Sequence, residues 1–549
     1  VTAHPSATLA RTLLAALAER GVEDFVLCPG SRSGPFAHAL AEAGSGNPPL
    51  GAPRLRLHVR IDERSAAFLA LGIARGRAAV GDPRPVAIVT TSGTAVGNLL
   101  PAVMEAHHSG VPLVLLTADR PAELRGVGAN QTTDQVGLFR SFVRWEHDLP
   151  APEVGDRADR TVMLADQLVR AALGDATRDD MAAAPGPVHL NVGLREPLGP
   201  DGDLWTDPPA PPPSTGPVPV IEDAPEPAPL EPVARGVVIA GDGAGDRARV
   251  VAEAHGWPLL AEPTSRARAG SHCIPDYVRL LESRAGADLA AQVHQVVVIG
   301  RPTLTRPVQA LIARAPALVV ASFGARWREV PRHAQRVLRD VPASWLWSSD
   351  PGAADPEWLA RWRAGGGRVH APEGWGPCAL AAGFLEHVGS AIGVVGSSGP
   401  IRALDRVMPA SAPGEGPVLV ANRGLAGIDG TVATAAGVAL GSGRPVLALM
   451  GDVTFLHDAG GLLVGPREER PRLRVVVAND GGGSIFRSLE HAAAPAANVE
   501  RVFTTPHGAD LASLCAGYRV PHRAVRSRDE LAAALARPID GLDVVEALL

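Results

Sequence analysis

The chain contains no lysine; all 52 of its basic residues are arginine. Schiff-base mechanisms need a lysine amine, so pyridoxal-phosphate and lysine-aldolase chemistry are excluded. The phosphate-gripping lysine of a P-loop is missing as well. Cysteine is scarce: Cys28, Cys273, Cys378 and Cys515 lie far apart and form no CxxC pair. That spacing supports neither a disulfide framework nor a cysteine-ligated zinc site, and it fits a reducing, cytoplasmic setting. No run of about 18 uncharged apolar residues occurs, so no membrane span is expected. The opening "VTAHPSATLARTLLAALAERG" places Arg11 and Glu19 in its apolar stretch, which suits an amphipathic helix better than a signal peptide. Basic excess is absent too: the net formal charge is −6, which argues against a nucleic-acid-binding face.

What the chain does have is apolar material in quantity, 46% of 549 residues. That is enough for about three domains of roughly 150–200 residues each. Over the first 190 or so residues, short apolar runs ("DFVLC", "RLHVR", "PVAIVTT", "PLVLLTA") alternate with helical stretches such as "ERSAAFLALGIARGR". This alternation predicts βαβ units around a parallel sheet, hence the α/β class. Residues 203–235 carry eleven prolines and cannot pack as helix or central strand, so they read as an extended linker. A second α/β pattern begins at "GVVIAGDG", and a third includes "VLVANRG", "PVLALMGD" and "LRVVVAND". The expected division is 1–195, a Pro-rich linker 196–235, a central α/β domain 236–365, and 366–549.

The third block holds the sharpest chemical signal. "RPVLALM" and "LRVVVA" read as buried strands, ending at Gly451-Asp452 and Asn479-Asp480. A crossover helix between them would make the two strands neighbours in a right-handed βαβ unit. Two carboxylates would then stand side by side where ligands bind in such sheets. Paired oxygen ligands suit a hard divalent cation such as Mg²⁺, which completes its shell with ligand phosphates. Gly481, Gly482 and Gly483 would let a backbone carbonyl approach as a further ligand. Taken alone, the two acids read either as ordinary turn residues or as ligands of a metal-bound diphosphate.

A GD turn followed by an Asn-Asp pair with glycines resembles the metal motif of thiamine-diphosphate enzymes. That resemblance implies thiamine diphosphate with Mg²⁺ (or Mn²⁺) held by Asp452, Asp480 and Gly482. It also implies a glutamate that reaches the cofactor's aminopyrimidine across a subunit interface. Glu63, after a strand and opening a helix in "RLHVRIDERSAAFLALGIAR", supplies it. "CPGSRSGPFA", "TSGTAVGNL", "LTADRPAELRGVGANQT", "GSSGPIR" and "NRGLAGIDGTVATAAG" as a set resemble the 2-succinyl-5-enolpyruvyl-6-hydroxy-3-cyclohexene-1-carboxylate synthases of menaquinone biosynthesis. The likeness reaches weakly into the central block through "GRPTLTRP".

This family decarboxylates 2-oxoglutarate and adds the resulting succinyl carbanion to isochorismate. The resemblance implies a pyrimidine-binding first domain and a diphosphate- and metal-binding last one, in a homodimer or homotetramer with active sites at the subunit interface. Further cofactor contacts are implied for Thr91, Ser92, Gly93, Gly396, Ser397, Gly451, Val453, Thr454, Gly483, Ser484 and Ile485. Ile428 would prop the cofactor in a bent form. Ser31, Arg32, Arg120, Asn130 and Gln131 would hold isochorismate, with Gln131 near the reacting carbon. Ser398, Arg402 and Arg423 would serve the succinyl end or the region both substrates share. Arg306 would add a cation and Phe486 an apolar wall. Arginine suits two dianionic substrates, because its planar fork binds carboxylates bidentately.

Some positions depart from the family pattern. Ser33 and Asp480 stand where asparagine is frequent, Gly481 replaces a polar residue, and Arg306 replaces lysine. A same-fold alternative is acetohydroxyacid synthase, which would require a flavin site and a small apolar pocket. Different classes are a cofactor-binding sensor without chemistry and a dinucleotide-dependent oxidoreductase. The last rests on "GDGAGDRARVVAEAHGWPLLAEP", where Glu262 follows a glycine motif at about the right distance. Asp246 occupies the third glycine position and would repel a pyrophosphate, so the central block reads as a packing domain.

Overall fold

The computed structural model describes residues 4–156, 158–174, 184–200, 205, 228–321, 334–338 and 340–549. Most of the Pro-rich stretch, 201–204 and 206–227, lies outside the described residues. Three sheets form, and every ladder in them is parallel. The first contains β1 (Asp24–Leu27), β2 (Arg56–Val59), β3 (Val86–Thr90), β4 (Leu113–Asp119), β5 (Glu146–Leu149) and β6 (Val188–Gly193), in the order β2-β1-β3-β4-β6-β5. The second has β7 (Gly236–Ala240), β8 (Leu259–Ala261), β9 (Gln295–Ile299), β10 (Ala317–Ala321) and β11 (Arg336–Leu338), in the order β11-β10-β9-β7-β8. The third has β12 (Ile392–Val395), β13 (Leu419–Val420), β14 (Val446–Gly451), β15 (Leu473–Asn479), β16 (His522–Val525) and β17 (Leu542–Leu548), in the order β13-β12-β14-β15-β17-β16. Central strands such as "VAIVT" are buried at every residue, as a sheet covered on both faces requires. The α/β class and the parallel sheets match the sequence expectation.

Contacts divide the chain into two compact units. One comprises Val1–Val220, Asp429–Arg444 and Asp458–Arg472; the other comprises Ile221–Ile428, Pro445–His457 and Leu473–Leu549. In the first unit, helix Glu63–Ala79 crosses helix Thr431–Ser442 at very short range. A Cβ added at Gly72 would lie 2.2 Å from the Thr434 carbonyl, and one at Gly437 would lie 2.2 Å from that of Leu69. Glycine is required there because the two backbones touch. Asp62 caps the Glu63–Ala79 helix by accepting the Ser65 N–H at 2.9 Å, which places Glu63 in its first turn.

In the second unit, a buried cluster positions helix Gly399–Val407. Arg268 pairs with Asp405 at 2.8 Å, and the Tyr277 hydroxyl donates to the same carboxylate at 2.8 Å. Arg268 also donates to the carbonyls of Ala261, Pro275 and Met408. Such a pair is costly to break from one side, by about 3–5 kcal/mol. The connection from β14 to β15 is not the regular crossover helix that the sequence suggested. Helix Asp452–His457 is short and is followed by a 3-10 turn, Ala459–Leu462. Gly460, Gly461, Pro466 and Pro471 interrupt any longer helix.

Candidate active site

A cavity of about 900 Å³ opens at the carboxyl ends of the third sheet, and every residue lining it belongs to the second unit. That size lies within the range of roughly 300–1,000 Å³ typical of small-molecule sites. Three adjacent strands build it. Val395 of β12 pairs with Leu449 of β14, and Gly451 of β14 pairs with Ala478 of β15, so the loops after them are neighbours. After β12 come Ser397 and Ser398; after β14 come Asp452, Val453 and Thr454; after β15 come Asp480, Gly482, Gly483 and Ser484, all at the cavity wall. Ile428, Ile485 and Phe486 supply apolar wall, and Phe486 packs on Phe503 with ring centroids 5.4 Å apart. Gly396 does not line the cavity; it lies against Met450.

The two acids behave differently. Asp452 is buried, and its Oδ2 accepts the Gly482 N–H at 2.8 Å. His507 Nε2 also approaches that oxygen, at 3.1 Å. Asp480 accepts a hydrogen bond from Ser484 Oγ. Loss of water contact pushes the Asp480 carboxyl above its ordinary range, and the charge of Asp452 pushes it the same way. A cation would reverse the second effect. Among the described residues, no group of three or more His, Cys, Asp or Glu side chains is placed to hold a metal. Two carboxylates and a glycine carbonyl therefore leave further positions to a ligand's oxygens, as Mg²⁺ tolerates. Gly482 has φ +154°, and a Cβ there would lie 2.4 Å from the Thr504 carbonyl, so the loop closes this tightly only with glycine. The donor set fits a hard cation with a diphosphate.

The arginines of this unit are not equivalent. Arg402 lines the cavity and donates to the Ser398 carbonyl at 3.1 Å. Arg306 is at the wall but largely exposed, paired with Glu490 at 2.8 Å. Arg423, expected at the succinyl end or the shared substrate region, is buried behind the wall and donates to Thr303 Oγ1 at 2.7 Å.

In the first unit, the ends of β1, β3 and β4 carry a second cluster. Arg120 donates to the Gln131 carbonyl at 2.7 Å and to Ser92 Oγ. Ser92 Oγ donates to the same carbonyl at 3.0 Å, and Gln131 Nε2 returns a bond to the Ser92 carbonyl at 3.0 Å. Gln131 has φ +54°, a strained conformation for a residue with a side chain. Asn130 and Ser31 are exposed, whereas Thr91, Ser92 and Gly93 are buried. Arg32 is buried and donates to the Leu194 carbonyl at 2.9 Å. Burial lowers its pKa, and the nearby Arg120 charge adds to that. Glu63 is half-buried and accepts from Asn98 Nδ2 at 3.3 Å. It stands near the end of β1, where burial and then the Glu63 and Asp62 charges push the Cys28 thiol up.

Sequence reasoning missed the supports of both clusters. Asp119 accepts the Arg120 N–H at 2.7 Å and Asn191 Nδ2 at 2.9 Å. Gln135 Oε1 accepts the Gly93 N–H at 2.9 Å while its Nε2 donates to Asn191 at 2.8 Å. His507 is an isolated histidine in a loop, and no spacing tied it to Asp452. Asp119 could have been noticed as an acid at a strand end, directly before Arg120.

Cofactor-type loops at the ends of two parallel six-stranded sheets define a thiamine-diphosphate enzyme. Residues 7–138 match the family described as "Thiamine pyrophosphate enzyme, N-terminal TPP binding domain", and residues 407–546 match its C-terminal TPP binding domain. The chain belongs to the 2-succinyl-5-enolpyruvyl-6-hydroxy-3-cyclohexene-1-carboxylate synthase family. It is 46% identical to the protein of that name from Nocardioides sp. (strain ATCC BAA-499 / JS614), over 98% of this chain and 94% of the relative. It is 46% identical to that of Kineococcus radiotolerans, over 99% and 96%. With that of Thermobifida fusca it shares 42% identity, over 99% and 96%.

Proposed function

We propose that this chain, with thiamine diphosphate and Mg²⁺ (or Mn²⁺), decarboxylates 2-oxoglutarate and joins the remaining succinyl unit to isochorismate. The products are 2-succinyl-5-enolpyruvyl-6-hydroxy-3-cyclohexene-1-carboxylate and CO₂, a step of menaquinone biosynthesis. The carrying observation is the cavity that joins Asp452, Asp480 and the glycines 482–483 to Arg402 in one space. When bound, thiamine diphosphate supplies the nucleophilic carbon that takes the 2-oxo acid and stores the electron pair left by CO₂.

The chain's own residues do the rest. Asp452 and Asp480, with the Gly482 carbonyl, hold the cation. Ser397, Val453, Thr454, Gly483 and Ser484 hold the diphosphate, and Ile428 supports the ring system. Glu63 exchanges a proton with the aminopyrimidine, general acid–base work by a positioned carboxyl. Arg402 neutralises a carboxylate of 2-oxoglutarate at the wall and Arg423 adds its positive charge from behind it; Arg32, Arg120, Asn130 and Gln131 orient isochorismate. On this reading, domain 1–195 binds the pyrimidine, 366–549 binds the diphosphate and metal, and 236–365 is a packing domain. Glu63 serves the cofactor of a second copy in a homodimer or homotetramer. The setting is cytoplasmic; among the described residues no helix is long and apolar enough to cross a membrane.

The test is to incubate the protein with thiamine diphosphate, Mg²⁺, 2-oxoglutarate and isochorismate and to follow loss of isochorismate. Consumption of pyruvate as readily as 2-oxoglutarate would move the activity to the acetohydroxyacid synthase class. The names of the relatives do not favour that alternative.

A further inference from the structure

Glu262, the acid that the broken glycine motif singled out, is not placed to meet a ribose. It follows β8 and is 2% exposed. Its Oε1 accepts the Leu304 N–H at 2.7 Å, and its Oε2 has no partner. Arg423 supplies the strongest opposite charge acting on it. That guanidinium donates to Thr303 Oγ1 at 2.7 Å, and its Nε is also without a partner. An acid and a base thus hold adjacent residues of one segment, and Leu304, Thr305 and Arg306 of that segment line the cavity. Each keeps one buried polar atom unsatisfied, which costs stability that a further partner would recover.

We propose that Glu262 is a positioning residue that sets the charge of the Arg402–Arg423 pair: neutral while a substrate carboxylate occupies the cavity, and paired with Arg423 when ionised. Binding of a dicarboxylate then draws one proton from solvent onto Oε2. The inference rests on the reading of Arg402 and Arg423 given above. With Glu262 neutral, the positive charge of Arg423 behind the wall adds to that of Arg402 at the cavity. Once it ionises, it cancels one of them and competes for Arg423.

The electrostatic setting supports a titration in the working range. Burial raises the Glu262 carboxyl to about 8, with Arg423 and the Leu304 N–H pulling it down and Asp405 and Asp242 pushing it up. Arg402 also feels its charge. Asp405 is itself engaged by Arg268 and Tyr277. A bound anion disfavours the ionised form further, so proton uptake on binding grows as pH rises toward and past 8.

The test uses Glu262→Gln, which keeps an acceptor for Leu304 but cannot ionise. In the wild type, the KM for 2-oxoglutarate should rise about tenfold from pH 7 to pH 9. In Glu262→Gln it should stay flat relative to that rise. Independently of any variant, calorimetry of succinate binding to the wild type at pH 8, in two buffers of different ionisation heat, should report uptake of roughly half a proton. Identical pH profiles in the two proteins, or no uptake with succinate, would overturn the proposal. If the wild type turns over 2-oxoglutarate with a flat KM profile, this inference alone falls. If it does not use 2-oxoglutarate at pH 7, the reading of the cavity falls with it.

Discussion

The first and third sheets have the same strand order: β2-β1-β3-β4-β6-β5 and β13-β12-β14-β15-β17-β16. Corresponding strand ends carry different chemistry. After β3 stand Thr91, Ser92 and Gly93; after the corresponding β14 stands Asp452. β4 ends at Asp119 and is followed by Arg120; the corresponding β15 ends at Asn479 and is followed by Asp480. Asp119 is fully engaged by Arg120, Asn191 and Arg125, the last at 3.1 Å. The Asp480 carboxyl is instead raised, first by burial and then by the Asp452 charge, against the pull of the Ser484 hydrogen bond. One topology therefore supports a site whose acid is engaged by arginine and asparagine, and another that sets two acids beside a glycine loop, the donor set proposed above for a cation. Function resides in the loops at strand ends, not in the sheet that displays them.

The comparison breaks most visibly at Glu63, the acid that the first sheet contributes. Glu63→Gln keeps the size but cannot exchange a proton, so turnover should fall by roughly 10²–10⁴-fold while thiamine diphosphate still binds. Titration of the cofactor alongside steady-state rates checks both halves. Near-normal turnover would mean that another glutamate does this work.

Next comes the acid of the third sheet. Asp452→Ala removes a charged oxygen and the partner of Gly482 N and His507. Cofactor affinity should drop by about 100-fold or more, beyond the usual cost of losing only an outer partner of a metal ligand. Excess Mg²⁺ should restore part of it. Mixing this variant with Glu63→Gln, after subunit exchange, should recover some activity if the two acids come from different copies. A wild type that binds thiamine diphosphate equally well with and without chelator would remove the metal from the site.

The arginines give a smaller, divided effect. Losing one charged partner of a partly desolvated pair costs about 2–3 kcal/mol, the lower part of the usual range. Arg32→Ala should raise the KM for isochorismate and leave CO₂ release from 2-oxoglutarate largely intact. Arg402→Ala should slow CO₂ release first. Measuring CO₂ and isochorismate separately in both variants decides it, and equal losses in both steps would erase the division between the two sheets.

Much of this contrast was legible in the chain. Buried β-strands ending in Gly-Asp or Asn-Asp announce themselves, because apolar runs and turn residues are local signals. Asp452, Asp480, Gly482 and Ile428 do come together at one cavity. What stayed hidden depends on long-range contact. His507 meets Asp452 across 55 positions of sequence, and Glu262 meets Leu304 across 42. Arg423 was read as a substrate-binding cation, yet it is buried and bonded to Thr303, which no local pattern connects to it. The connection after Asp452 read as a helix by length, but its glycines and prolines broke it.

The smallest effect concerns a residue that ties the Glu63 helix to its neighbour. Asp458 is fully buried, accepting Ser65 Oγ at 3.0 Å and the Ala433 N–H at 2.8 Å. It thus holds the first turns of helices Glu63–Ala79 and Thr431–Ser442, two residues from Glu63. Burial raises its carboxyl to about 6, against the pull of both hydrogen bonds. The folded-state pKa lies above the ordinary value of 3.8, so its contribution to stability is fully present below that pH and is lost as pH rises through about 6. Asp458→Asn removes the titration but keeps one carbonyl oxygen for one of the two donors and turns its NH₂ toward the other. Those changes oppose one another, so net stability at pH 7 should shift by only about 1 kcal/mol. The readout is the slope: the Tm of the wild type should decline relative to Asp458→Asn between pH 4 and pH 7. Parallel curves would mean that Asp458 does not titrate in that window, and that the start of the Glu63 helix is held by hydrogen bonds whose strength is independent of pH.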